Sequence, residues 1–480
     1  MLFNSIDFMF FFLIIVSILF LIPRKYRVTW LLIISYYFYM CWSKTYVILL
    51  LLSTMSTYFT GIFLEKTQSI RKKKNYIWGC VFTNVGILFL FKYFNFSIEC
   101  LNWLLKNCCE NSVSWKINLI LPVGISYYTF QAIGYIIDVY RGRNAEKNFV
   151  KYALFVSFFP TITSGPIERS SNLLKQFDDI DKKKLWNYDR VKNGVLLIFW
   201  GLFQKIVIAD RLSLYVDTVY NNYQEYGMLT LVTATILFAF QIYCDFDGYT
   251  NMACGIAEVV GIDIVRNFER PYFASNIKDF WRRWHISLTS WFRDYLYIPL
   301  GGNRKGKIRA QLNTFIVFCI SGLWHGASLN YLIWGMIHGI LQVVYNVYVS
   351  YFKGKKESFS TKLRNGIVTF IAVDIAWMFF RATSLEQVYG MVRQMFSEIG
   401  DFSEVLGVLG DGDRNLLILG LFIVFVVDVL HEIGLNIRLW IAKQEIWFRY
   451  LLYIGVICAC LYLGVHTEVD AARNFIYFQF

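Results

Sequence analysis

The sequence predicts an all-α polytopic membrane protein with about 11–12 transmembrane or re-entrant helices. Three observations carry this: 56% of its 480 residues are hydrophobic, only 17% are charged, and apolar runs long enough to cross a bilayer recur along the chain. Soluble chains carry about 25% charged residues. The first run, 6–22, has no basic stretch before it and no small-residue cleavage site after it. It is expected to be a retained first span rather than a removed signal peptide. Further spans are expected at 28–42, 45–64, 77–94, 117–139, 191–209, 229–244, 314–347, 367–380, 416–430 and 450–465. The 314–347 run is long enough for two spans joined by a tight turn.

The net charge of +13 comes from 47 Lys and Arg against 34 Asp and Glu. In a soluble protein that excess would suggest nucleic acid. Here the basic residues gather between apolar runs, at Arg24, Lys25 and Arg27, at Arg71–Lys74, and at Arg304, Lys305, Lys307 and Arg309. Loops rich in Lys and Arg stay cytoplasmic, so the N-terminus is expected outside and the 65–76 loop inside. The polar stretches 166–190 and 263–310 mix apolar and basic residues, as segments lying at a membrane interface do. The ten cysteines form no CxxC pair, and free thiols acting as small apolar residues are the expectation. No internal repeat, linker or low-complexity tail divides the chain, so residues 1–480 are expected to form one membrane domain.

The densest aromatic and cationic cluster is WRRWHISLTSWFRDY, residues 281–295. Its aromatics at 281, 284, 291 and 295 recur at helical spacing, and Arg282, Arg283 and Arg293 fall off that stripe. An interfacial or shallow re-entrant helix is expected, with His285 inside it.

There are five histidines. His325 lies in the apolar stretch CISGLWHGASLNYLIWGMIHG between Gly322 and Gly326, small neighbours that admit a ligand or another backbone. An imidazole there can serve as a general base near neutral pH, and ionisable groups inside a membrane mark function. On a straight helix His338 would point well away from His325, which argues against a shared metal. His431 and His466 lie near span ends, where interface or capping roles are expected. No HxxH or HExxH spacing occurs and no metal site is expected. The stretch QIYCDFDGYTNMACGIAE (241–258) places Asp245 and Asp247 on one face if extended and on different faces if helical. Pairing with the downstream arginines is the default for such carboxylates. There is no GxSxG elbow, Walker sequence or GxGxxG fingerprint.

Several motifs together resemble the membrane-bound O-acyltransferases, and within them the bacterial alginate-acetylating branch more than the teichoic acid D-alanine branch. They are LPVGISYYTFQAIGYIIDVYRG (121–142), FPTITSGPIERSSNLLKQF (159–177), FERPYFASNIKDFWRRWHISLTSWFRDYLYIPLGGNRKG (268–306), SGLWHGASLNYLIWGMIHG (321–339), WMFFRATSLEQV (377–388) and the terminal NFIYFQF. The resemblance covers 118–345 almost without a break, and that stretch holds both histidine motifs. It implies a central tunnel with two catalytic histidines, His325 as the general base and His285 orienting the thioester or stabilising the developing oxyanion. It further implies substrate contacts from Trp281, Arg282, Trp284, Trp324 and Asn330, the Trp and Arg cluster forming the tunnel's inner wall.

By the same resemblance the protein is expected to move an acyl group, acetyl by branch, from a cytoplasmic thioester to hydroxyls of an extracytoplasmic polysaccharide. Acetyl-CoA would be the donor, and Arg304, Lys305 and Lys307 would attract its phosphates; no tightly bound cofactor is expected. A secreted esterase-like acyltransferase is an expected partner, beside membrane lipids, in the plasma membrane. One departure stands out: the family pattern DFSGYSDMA reads DFDGYTNMA here, moving a carboxylate from position 251 to 247. The competing readings are a glycan or lipid-linked precursor transporter, for which related halves are lacking, and a scaffold that only docks a secreted enzyme.

Overall fold

The computed structural model describes residues 1–109, 113–351, 358–464 and 476. His466 and all of the terminal motif except Ile476 lie outside them. Among the described residues the regular elements are all helices, with no strand. Seven of the helices are long and apolar enough to cross a membrane: Val47–Lys66, Ile70–Cys108, Met228–Val260, Leu329–Tyr351, Phe359–Arg381, Asp411–Glu432 and Ile446–Leu463. An eighth apolar helix, Ile6–Leu21, is shorter. The chain is a polytopic all-α membrane protein, and it forms two compact units.

The first unit comprises residues 1–194 and 256–265. Its membrane-type helices are joined by polar side chains that face inward and find partners there. Ser53 donates to Asn84 Oδ1 at 2.6 Å, and Tyr152 donates to Thr57 Oγ1 at 2.6 Å. Such bonds satisfy groups that lipid could not. Glu168, in the SGPIERS motif, is buried and accepts from the Val265 amide at 2.6 Å and from Asn172 Nδ2 at 2.9 Å.

Three expectations change here. Arg27 is no loop charge: it is buried, and its Nη1 donates to the carbonyls of Ile180 and Lys183, each at 2.9 Å. Arg71–Lys74 form the first turn of the helix Ile70–Leu88, capped by Ser69, rather than a loop. The 117–139 run becomes helical only at Ile125. Pro122 precedes that start, and Gly124 takes φ +75° with its Cα so near the Ile162 carbonyl that a Cβ would sit 2.1 Å from the oxygen. Only glycine supplies both the dihedral and the space.

The second unit comprises residues 195–255 and 266–480. Its longest helix, Met228–Val260, has 33 residues, about 50 Å at 1.5 Å per residue. The span expected at 229–244 therefore continues through DFDGYTNMA as helix. Its last turn, from Ile256, belongs to the first unit. The 314–347 run is indeed two helices, Lys307–His325 and Leu329–Tyr351, turning at residues 326–328.

These two helices are pressed together on glycine. A Cβ on Gly322 would lie 2.2 Å from the Tyr331 carbonyl oxygen, and one on Gly335 would lie 2.3 Å from that of Phe318. Of the two roles suggested for Gly322 and Gly326, ligand access or backbone contact, the structure shows backbone contact at Gly322, while Gly326 lies against the Tyr331 ring. Gly322→Ala is expected to force the hairpin apart and cost about 1–3 kcal/mol, seen as a lower melting temperature in detergent. Gly86→Ala, with open space around it, serves as the control and should melt as wild type.

Candidate active site

All the site geometry below lies in the second unit. Helix Ile277–Arg283 starts at Asn276, whose side chain accepts from the Asp279 amide at 2.9 Å. It ends after two turns, because Trp284 is extended and His285 is left-handed, with φ 42° and ψ 54°. A second short helix, Ile286–Phe292, follows and widens into a π-type turn at Arg293–Tyr297. The single helix expected over 281–295 is thus broken in the middle. Its aromatics share helical spacing but serve different partners: Trp281 packs on His338, Trp284 on Trp377, and Trp291 on Tyr295.

A left-handed residue other than glycine costs about 1–2 kcal/mol, so the break must be held. Asn267 holds it from the facing segment. Its carbonyl accepts from the Ile286 amide at 2.9 Å and its Oδ1 from the Ser287 amide at 3.2 Å. The Glu269 amide donates to the Arg283 carbonyl at 3.0 Å.

This backbone delivers the His285 ring to the end of helix Lys307–His325. The two imidazole centroids are 6.4 Å apart and both rings are buried. Around them stands an aromatic wall. Phe246 meets His285 edge-on at 4.8 Å, and Trp324 lies 6.0 Å from His285 and 5.0 Å from His325. Trp334 and Phe380 close on His325 at 5.0 and 5.4 Å. A neutral imidazole offers one donor and one acceptor. Two of them in a buried enclosure can take a proton from one group and polarise another.

The structure brings Trp281, Trp284 and Trp324 into this aromatic assembly, but not the arginines. Arg282 is exposed. Arg283 pairs with Asp279 and Glu432, and Arg293 pairs with its neighbour Asp294. The expected Trp and Arg wall is a wall of aromatics, because charged heads turn out of an apolar interior. Asn330 is buried and donates from Nδ2 to the Ala382 carbonyl at 2.8 Å, tying its helix to the chain just after Phe380. Arg304, Lys305 and Lys307 are exposed at the far end of helix Lys307–His325. Eighteen residue steps separate Lys307 from His325, about 27 Å.

His338 is separated from His325 by the Trp334 indole, which lies 5.0 Å from one ring and 4.8 Å from the other. The Trp281 indole N–H donates to His338 Nδ1 at 3.3 Å. Trp334, Trp377, Phe380 and Phe246 were not singled out from the sequence. Their signal was present, since Trp334 lies one helical turn before His338 and Trp377 and Phe380 lie in WMFFRATS.

The carboxylates resolve as helical. Asp245 does not seek the downstream arginines; it pairs with Lys205 at 2.6 Å, and Lys205 also meets Asp210 at 2.8 Å. Lys205 lies in a π-type turn, Phe203–Ala209, inside the expected 191–209 span, so a buried lysine was the missed signal. Asp247 turns to Gln204, whose Nε2 donates at 2.8 Å, and to Asn251, whose Nδ2 donates at 3.0 Å. The two positions exchanged in DFDGYTNMA therefore touch, and the carboxylate stays on the same patch.

Removing the Asn267 side chain should leave the Ser287 amide without this acceptor. Asn267→Ala is expected to cost about 1–3 kcal/mol. Faster amide exchange confined to the segment around residue 287, with a lower melting temperature, would check it.

Residues 145–386 match the membrane-bound O-acyltransferase family. The chain is 36% identical to the peptidoglycan O-acetyltransferase of Helicobacter pylori, over 76% of this chain and 73% of that protein. It is 34% identical to a probable alginate O-acetylase of Pseudomonas aeruginosa, over 83% of this chain and 75% of that protein. A teichoic acid D-alanyltransferase of Bacillus subtilis is 33% identical over 50% of this chain and 62% of its own length. With this breadth of match on a polytopic helical fold, the chain belongs to the membrane-bound O-acyltransferase family and is an acyltransferase.

Proposed function

We propose that this acyltransferase moves an acetyl group from acetyl-CoA on the cytoplasmic side to hydroxyl groups of an extracytoplasmic polysaccharide, directly or through a secreted acyltransferase partner. The protein would lie in the plasma membrane with its N-terminus outside. The observation that carries the proposal is the meeting of His285 and His325 inside one buried aromatic enclosure. The names of the relatives support the acceptor class: one is a peptidoglycan O-acetyltransferase, one a probable alginate O-acetylase and one a teichoic acid D-alanyltransferase.

The chemistry follows from the two imidazoles. His325 takes the proton from the attacking hydroxyl as general base. The hydroxyl oxygen bonds to the thioester carbonyl carbon, and the carbon–sulfur bond breaks. His285 donates toward the carbonyl oxygen as negative charge builds on it. The proton held by His325 then passes to the departing thiolate. Both substrates reach the pair along an internal passage from opposite faces, which the aromatic side chains keep free of bulk water.

Arg304, Lys305 and Lys307 act at a distance in this scheme. Exposed, and one helix length from His325, they draw the donor's phosphates by their field rather than touching the reacting carbonyl. The polar Asn330 side chain is already committed to Ala382, so its contribution is to hold the wall near Phe380.

Two tests separate these roles. His325→Ala, matched to wild type for protein level, is expected to lower ester-linked acetyl on surface polymers by about 100-fold or more, counted by mass spectrometry; unchanged acetylation would refute the assignment. Replacing Arg304, Lys305 and Lys307 together by Gln is expected to raise KM for acetyl-CoA with kcat nearly unchanged. The gap to wild type should close as salt is raised, because the field is screened.

A further inference from the structure

Among the described residues, only two besides glycine have positive φ: His285 at 42° and Arg270 at 49°. They lie on the two facing segments of the break, joined where the Glu269 amide meets the Arg283 carbonyl. One side chain from a third segment reaches both. Glu432 ends the helix Asp411–Glu432. It accepts from Arg270 Nε at 2.7 Å, from Arg283 Nη1 at 2.8 Å and from Arg283 Nη2 at 3.1 Å. The pairing with Arg283 is two-pronged, the geometry that fixes orientation as well as distance. Arg283 is further braced by Asp279, one turn earlier on its own helix, at 3.1 Å.

Arg283 is two residues from His285, and its carbonyl and guanidinium are both held. Arg270 opens the short turn Pro271–Phe273 that follows it. Tyr272 in that turn packs on Trp284 at 6.1 Å and donates to the Ala239 carbonyl at 2.6 Å. Glu432 therefore pins both strained segments to one helix end while touching neither histidine. An ion pair serving stability alone would need neither the fork nor the shared carboxylate. An isolated exposed pair would add little to stability, whereas a forked and shared one also fixes the orientation of both arginines; all three side chains here keep 19–30% of their surface exposed.

We propose that Glu432 is a positioning residue for the acyl transfer: through Arg283 and Arg270 it fixes the angle at which His285 faces His325 and the bound thioester. The proposal rests on the reading of His285 given above. Its effect is on the rate of the chemical step, because a small misplacement of an aligned group can cost roughly 100-fold in rate with little effect on substrate binding.

The test compares full-length wild type, Glu432→Ala, Arg283→Ala, the double variant and His285→Asn in isolated membranes. Initial rates are measured with labelled acetyl-CoA at varied concentration and normalised to folded protein. Glu432→Ala is expected to lower kcat about 10- to 100-fold with KM within about twofold. The double variant should lose no more than Arg283→Ala alone, since the two act as one unit. Glu432→Asp should recover part of the rate by restoring one of the bonds.

His285→Asn keeps a side chain that tolerates left-handed backbone and should be inactive. If it is inactive while Glu432→Ala keeps wild-type kcat, the positioning role is overturned and the reading of His285 stands. If Glu432→Ala loses only folded protein, with kcat per folded molecule unchanged, the role is likewise overturned. If His285→Asn keeps its rate, the reading fails and the proposal with it.

Discussion

The left-handed backbone at His285 is the constraint on which the second unit's interior depends. A continuous helix over 277–292 would spread its aromatics along one stripe. The break at Trp284 and His285 instead turns the imidazole toward Phe246, Trp324 and His325. The arrangement is unfavourable by itself and persists because neighbours over-determine it. Asn267 supplies two acceptors, and Trp284 is locked between Phe280 and Trp377 at 5.5 and 4.9 Å. The strain sits at the residue whose ring enters the aromatic enclosure, while its supports lie in ordinary hydrogen bonds and ring contacts around it.

The second histidine arrives by a different route. His325 ends a helix, and the position of that end is set by how closely Lys307–His325 can lie against Leu329–Tyr351. Gly322 and Gly335 permit near-contact of the two backbones, which brings Trp334 under the His325 ring. In lipid, where apolar side chains gain little by meeting each other, such close packing is a main source of helix association. The charged groups of the unit follow a separate rule. Lys205 is buried between Asp210 and Asp245, and Arg211 meets Asp413 at 2.9 Å while donating to the Leu463 carbonyl at 2.9 Å. Breaking the buried Lys205 pairs costs about 3–5 kcal/mol, so that charge is bound to structure and is not available to move.

How much was legible in the sequence depended on whether the signal was local. Helices such as 416–430 and 367–380 showed in hydropathy alone, and their observed ends lie one to eight residues beyond. The paired helices of 314–347 were legible because the run is longer than one span needs. His285 and His325 stood out as ionisable groups in unusual surroundings, and the family resemblance put both in one site. What was not legible was set by tertiary contact. Spacing of 3, 7 and 4 is as compatible with two short helices as with one, and the choice was made by Asn267, whose neighbourhood no local pattern reveals. The same holds for Asp245: its partner Lys205 lies on a turn whose π-type widening aims the lysine inward. Arg27 looked like a loop charge because burial of its guanidinium depends on carbonyls at 180 and 183.

The displacement of the arginines from the wall also has a chemical logic. A cation beside either imidazole would disfavour the protonated form a general base must pass through, and it would bring water with it. Here the three arginines of the 281–295 cluster are exposed or matched to carboxylates, and the rings facing the histidines are indoles and phenyls. In the proposed reaction an activated acyl group held there would meet little water, so hydrolysis would be suppressed without any residue dedicated to preventing it. The wall thereby does by exclusion what a charged site would have to do by selective binding. Under the proposed mechanism a fixed imidazole angle would matter more in such a place, because mobile water could not make up for a misaligned donor.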